Sequence, residues 1–110
     1  IGITASTFVQ ASARAPSKRI VQALHQAFIT YTELEIRYQR EDGVKSHRQI
    51  APHYLLLKYP IWYVVAYDNL TDLPRTFRCD RILAAQTTET SFRLLPKEAF
   101  KPSISKDDLF

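Results

Sequence analysis

The run PSKRIVQALHQAFITYTELEIRYQREDG, residues 16–43, changes its hydrophobic period halfway along, and the fold follows from that change. In the first half Ile20, Leu24, Ala27, Phe28 and Tyr31 recur at helical spacing, while Arg19, Gln22, His25 and Gln26 fall largely on the other side. This predicts one amphipathic helix of about 13 residues, entered through Pro16 with Ser17 as its N-cap. Lys18 and Arg19 put the wrong sign in its first turn. Solvated side chains bear that at small cost, and a phosphate nearby would remove it. In the second half Leu34, Ile36 and Tyr38 alternate with Glu33, Glu35, Arg37 and Gln39, the pattern of a half-buried strand. Glu41-Asp42-Gly43 then reads as a hairpin turn, with glycine available for a positive φ.

Outward from this run, a return strand is expected from Val44 to Ile50, broken or bent at Pro52, with a third extended piece over Tyr54–Lys58. Tyr59-Pro60 marks a second turn. Ile61 to Asp68 is apolar on both faces, which places it centrally in a sheet, covered on one side by the helix or a partner. After a polar loop to Pro74, the last strands are expected over Arg75–Cys79 and Ile82–Thr90, joined by Asp80-Arg81. Residues 1–15 read as a linker or the end of a preceding element, 16–95 as the domain, and 96–110 as a linker to a C-terminal extension. The fold class is α+β, mainly β. One helix and about five short, hairpin-connected strands predict a small, curved β-barrel with the helix packed at one end, closure of which would remove exposed strand edges.

At 110 residues the chain is one domain's worth of sequence, able to bury roughly two-thirds of its unfolded surface. Only 2 Gly against 6 Tyr and 6 Phe favour strands and aromatic platforms over flexible loops. Fifteen basic and 11 acidic residues give a formal charge of +4, which suits a polyanionic partner. A single cysteine, Cys79, excludes an internal disulfide and fits a reducing cytoplasm. No apolar stretch is long enough for a bilayer, and no signal pattern opens the chain, so a cytoplasmic protein with no membrane partner is expected. The absence of Met predicts a piece excised from a longer protein.

Catalytic patterns are nearly empty, so no enzyme is expected. His25, His47 and His53 sit at no ligand spacing and Cys79 has no nearby cysteine, which argues against zinc or any other metal. There is no glycine-rich phosphate loop and no nucleophile motif, and no cofactor is expected. Glu41-Asp42 and Asp107-Asp108 lie in turn and tail sequence that would not hold paired carboxylates in register. The binding signal is stronger. Arg75-Thr76-Phe77-Arg78-Cys79-Asp80-Arg81 carries three guanidinium groups in seven residues, which on a strand would put Arg75, Phe77, Cys79 and Arg81 on one face and Thr76, Arg78 and Asp80 on the other. Arginine forks match phosphate oxygens two at a time. Asp80 can equally pair with a neighbouring arginine, so for Asp80 and Arg81 a corner salt bridge and a ligand site are both open readings. Lys45, His47, Arg37 and Arg40 read as a solvated face, whereas Arg48 leads directly to His53 and Tyr54. His53 could bond a phosphate or base edge, or satisfy a hydrogen bond after the bend. Trp62 reads as core packing, and Tyr63, on the opposite face, as the residue that reaches a pocket.

Three of these stretches, in this order, resemble the WYL domain family, sensing modules of bacterial winged helix-turn-helix transcription regulators. They are Arg48-Gln49-Ile50-Ala51-Pro52-His53-Tyr54-Leu55, Trp62-Tyr63-Val64-Val65-Ala66-Tyr67-Asp68, and Arg75 to Ile82. The third residue of the name-giving triplet is Val64 rather than Leu, an apolar-for-apolar change. The resemblance implies a small Sm-like, SH3-type barrel that follows a winged helix acting on promoter DNA and precedes a C-terminal extension. It further implies ligand sensing through Arg48, His53, Tyr54, Tyr63, Arg75, Arg78 and Arg81, with Trp62, Phe77 and Asp80 as scaffold. The expected ligand is a single-stranded nucleic acid or a nucleotide-like, phosphate-bearing effector, and a homodimer is a further expected partner state. Two alternatives stand beside this: a protein–protein or dimerisation module that leaves Ile61–Tyr67 open in the monomer, and an accessory domain of a helicase or defence protein.

Overall fold

A computed structural model of the chain describes residues 16–102; the expectation for residues 1–15, and that for 96–110 as far as it concerns 103–110, lie outside them. The helix, α1, is Lys18–Thr30, 13 residues long, and Ser17 caps it by accepting from the Ile20 N–H at 3.4 Å. It ends at Tyr31, which takes the left-handed conformation (φ 53°) while its N–H donates to the Ala27 carbonyl. A tyrosine there pays a steric penalty that glycine does not. Tyr31→Gly is therefore expected to raise stability by about 0.5–1 kcal/mol in urea unfolding; a loss would show that the ring's packing outweighs the backbone penalty.

Five strands follow: β1 (Thr32–Gln39), β2 (Lys45–Lys58), β3 (Ile61–Asp68), β4 (Leu73–Arg78) and β5 (Ile82–Ser91), all antiparallel in the order β4-β3-β2-β1-β5. At the first turn Gly43 sits at φ 87°, and Asp42 Oδ1 accepts from the Val44 N–H at 3.1 Å. Of the break or bend expected at Pro52, the strand shows no break, since β2 runs unbroken for 14 residues, but it is irregular there. Pro52 pairs with Ala66 and Tyr54 with Val65, so His53 is the extra residue of a bulge. A bulge is where a strand interior tolerates proline.

The expected closed barrel is also corrected. The sheet is open, with β4 and β5 as its two edges. Beyond Arg78 the chain enters a 3-10 turn, Cys79–Arg81, before β5 begins, so these residues cannot extend β4 into a ladder along β5. The sheet still curls. The Tyr38 hydroxyl of β1 accepts from the Arg78 N–H of β4 at 2.9 Å although β2 and β3 lie between them in the sheet. Bulges along β1–β5 and β2–β3 supply the bend.

One face of this curl holds the core. Ile20, Leu24 and Ala27 of α1 pack with Leu34, Ile36, Tyr38, Ile50, Val64, Ala66 and Phe77. The Phe77 ring meets the Tyr38 ring edge-on at 5.0 Å. The opposite face of β3 is buried as well: Tyr63 and Val65 are closed off, as the doubly apolar pattern requires. Part of that face is covered by the segment after β5, whose second 3-10 turn, Lys97–Phe100, sets the fully buried Phe100 against Tyr54.

Candidate functional site

The seven residues singled out by sequence fall at three separate places. Arg48 and Arg75 lie on the core face. Arg48 is opposite Ile36 in the β1–β2 register, two residues before Ile50, whose partner in β3 is Asp68. That geometry aims the guanidinium at the Asp68 carboxylate, which it meets in a buried ion pair. Arg48 Nε also donates to Ser46 Oγ at 2.9 Å, and the group lies 5.7 Å from the centre of the Phe77 ring. Asp68 accepts further from the Leu70 N–H (3.2 Å) and the Thr71 hydroxyl (2.8 Å), and Arg75 Nε donates to that hydroxyl at 3.3 Å. Burial holds the Arg48 guanidinium below its ordinary value, against the opposing pull of Asp68. A buried arginine whose charge is met by a fully enclosed carboxylate ties β2 to β3 and the loop that follows.

The second place is the corner where β4 leaves the sheet. Arg78 grips Asp80 with two parallel bonds, Nε to Oδ1 at 2.9 Å and Nη2 to Oδ2 at 2.6 Å. These bonds hold the Arg78 guanidinium above its ordinary value. Tyr63 faces Arg78 across the β3–β4 ladder, and Arg81 sits half-buried in the turn. The Tyr38 hydroxyl ties the corner down from the core side, and burial raises its pKa, partly offset by its bond from the Arg78 N–H and by the charge of Arg81. The alternation expected of residues 75–81 holds from Phe77 to Cys79, both buried in the core cluster, and the 3-10 turn Cys79–Arg81 interrupts it beyond that point.

His53 and Tyr54 make the third place. The bulge turns both towards the segment after β5, where Phe100 lies 4.3 Å from the His53 ring and 5.7 Å from Tyr54, centre to centre. Trp62 and Tyr63 exchange the surroundings expected of them. Trp62 is 37% exposed and Tyr63 only 6%. Trp62 pairs with Leu57 near the far end of the β2–β3 arm, and with Leu55, Val21 and Phe28 it lines an apolar cavity of about 340 Å³. Sequence reasoning missed Asp68 and Phe100. An acidic residue closing an otherwise apolar strand signalled the first, and a lone aromatic in a polar tail signalled the second.

The Cys79 thiol is buried and pushed up to about 12, so it stays protonated. Among the described residues no group of three His, Cys, Asp or Glu could hold a metal ion, and no helix is long and apolar enough to cross a membrane.

Comparison with known proteins agrees with the motif resemblance. No curated protein matches the chain. Among solved structures, it is similar to proteasome accessory factor B/C (PafBC) of Arthrobacter aurescens, at 23% identity and a TM-score of 0.61. That likeness covers 71% of this chain but 13% of the other, so the domain corresponds to a small part of that protein. The family model for the WYL domain matches residues 19–87, well over half of the chain, from α1 into β5. The chain belongs to the WYL domain family.

Proposed function

We propose that this WYL domain is the ligand-sensing part of a transcription regulator, and that its ligand is a single-stranded nucleic acid or a nucleotide-like, phosphate-bearing effector. The observation that carries the reading is the Arg78–Asp80 fork. Both carboxylate oxygens are spent on one edge of the guanidinium, so its remaining N–H groups are aimed in advance, and the side chain is still 24% exposed. Pre-aimed donors lose less freedom when they engage phosphate oxygens. Arg81 adds a second cation in the same corner, and a net charge of +4 favours a polyanion. Arg75 is assigned a supporting role on the core face, Tyr63 backs the corner from across the β3–β4 ladder, and His53 and Tyr54 are assigned to a separate aromatic surface. Ligand occupancy would act on promoter DNA through a winged helix elsewhere in the protein. The role we assign is regulatory rather than enzymatic, as membership of the WYL family supports.

The test is binding of a fluorescent single-stranded DNA oligonucleotide across several salt concentrations, by the wild-type chain and by Arg78→Ala/Arg81→Ala, with circular dichroism to show that both are folded. The logarithm of the wild-type binding constant should fall linearly with log salt, by about 0.7 per phosphate contacted. The double variant should bind at least about tenfold more weakly, with a shallower slope. Equal binding by the two proteins removes the corner from the site. A folded wild type that ignores DNA even at low salt ends the single-strand reading, and thermal shift with nucleoside phosphates then decides the effector reading. The protein-docking alternative expected an open β3, but Ile61, Tyr63, Val64, Val65 and Ala66 are buried within the domain. The exposed large apolar residue of β3 is Trp62, paired with Leu57 and close to Leu55 of β2.

A further inference from the structure

His53 makes two hydrogen bonds that dictate its protonation state. Its Nε2 takes the Leu95 N–H at 2.9 Å, and a backbone N–H can only donate, so Nε2 must carry a lone pair. Its Nδ1 lies 2.8 Å from the Ala51 carbonyl oxygen, which can only accept, so Nδ1 must carry the proton. One neutral tautomer satisfies both contacts. The imidazolium cannot, because a proton on Nε2 would point at the Leu95 N–H.

The partner of that bond is not part of the sheet. Residues 92–100 run across the outer face at only a few attachments. The Phe92 N–H donates to the Tyr31 carbonyl at 3.0 Å, Leu95 bonds to His53, and Phe100 inserts beside His53 and Tyr54. The stretch between is largely exposed, from Arg93 to Glu98. Phe92 and Phe100 flank the imidazole at 5.2 and 4.3 Å. His53 therefore both bonds this segment and packs against its two aromatic residues.

We propose that residues 92–100 form a strap latched by neutral His53, and that protonation of Nε2 opens the strap and uncovers Tyr54 and the adjoining outer face of β2 and β3. This rests on the contacts of His53 alone and does not require the nucleic-acid reading. The surroundings set the direction. Glu33 of β1, Tyr67 of β3 and Arg93 of the strap line a cavity of about 200 Å³ with His53. Glu33 would favour the imidazolium, but its Oε1 is already engaged by Gln49 (2.5 Å) and Asn69 (3.1 Å), and Arg93 opposes it. The Phe rings favour a cation weakly. Burial of the imidazole is the larger influence, lowering its pKa from the ordinary 6.5, partly offset by the Ala51 carbonyl. A histidine depressed in the closed state binds fewer protons there than in the open state. The latch is thus complete above pH 6.5 and weakens as pH falls below that through the closed-state value.

The experiment is amide hydrogen exchange on the 110-residue chain, followed by NMR from about pH 7.5 to about pH 5, together with ¹⁵N shifts of the imidazoles. Near pH 7.5 His53 should show the Nδ1–H tautomer with a protected Leu95 amide. As pH falls from 6.5 towards the closed-state value the Leu95 protection factor should fall, at most about tenfold per pH unit for a single proton, and then level off. His53→Phe retains a ring between Phe92 and Phe100 but cannot accept, so Leu95 should be poorly protected at every pH. His25→Gln/His47→Gln, at two exposed positions, should leave the pH step intact. Protection that survives the titration of His53, or a step that persists in His53→Phe, overturns the latch.

Discussion

Arg48→Ala and Asp68→Ala are each expected to lower the unfolding free energy by about 3–5 kcal/mol, read from urea denaturation. Each substitution strands a charge where water cannot reach it: Arg48 is 5% exposed and Asp68 is fully enclosed. Removing Asp68 also strips the acceptor from the Leu70 N–H and the Thr71 hydroxyl, so its loss should be the larger of the two. The size of the effect measures a broken pair rather than the pair's own worth. Replacing both at once, Arg48→Met with Asp68→Leu, leaves no stranded charge and should cost clearly less than the sum of the single changes. A cost for Arg48→Ala below about 1 kcal/mol, the range of an exposed ion pair, would show that the guanidinium is hydrated and free to meet a ligand. The same series thus separates a structural arginine from a binding one. An oligonucleotide assay alone would not, because an unfolded variant also fails to bind.

Phe100→Ala is expected to cost about 3 kcal/mol, the lower part of the range for deleting a buried phenyl ring. Phe100 is fully buried and touches His53 and Tyr54, so the cavity left would lie on the outer face, away from the main core. Phe100→Leu should lose less than half as much, because it refills most of the volume. The position also tests where the domain ends. A residue in a linker could be truncated with no effect on unfolding, and an unchanged midpoint would return residues 96–110 to that reading. If the strap opens on its own before the rest of the domain unfolds, Leu95 exchange should accelerate in Phe100→Ala by more than the global stability falls.

The sequence by itself determined what local periodicity can encode. The span and cap of α1 follow from the 3.6-residue repeat after Ser17, and the limits of β3 follow from an unbroken apolar run ended by Asp68. The glycine turn at Gly43 also lies within a few residues of chain, so composition and spacing sufficed for it, whereas they left open whether Asp80 pairs with a neighbouring arginine or serves a ligand. Tertiary structure decided the rest. Arg48 carries no local sign of being buried; its partner is 20 residues away and reaches it only through the β2–β3 register. The bulge at His53 shifts the phase of β2, and so which face Tyr54 and Leu55 occupy, and bulges form where two strands must bend together. The 3-10 turn at Cys79–Arg81 interrupts the strand alternation on which the grouping of Arg75 with Arg81 relied. Whether the sheet closes depends on its two edges meeting, which no single strand's pattern records. Trp62 and Tyr63 differ for the same reason. A strand specifies which residues share a face, whereas exposure depends on what lies over that face. At the far end of the β2–β3 arm Trp62 is left lining an open cavity, while Tyr63, facing the other way, is closed off.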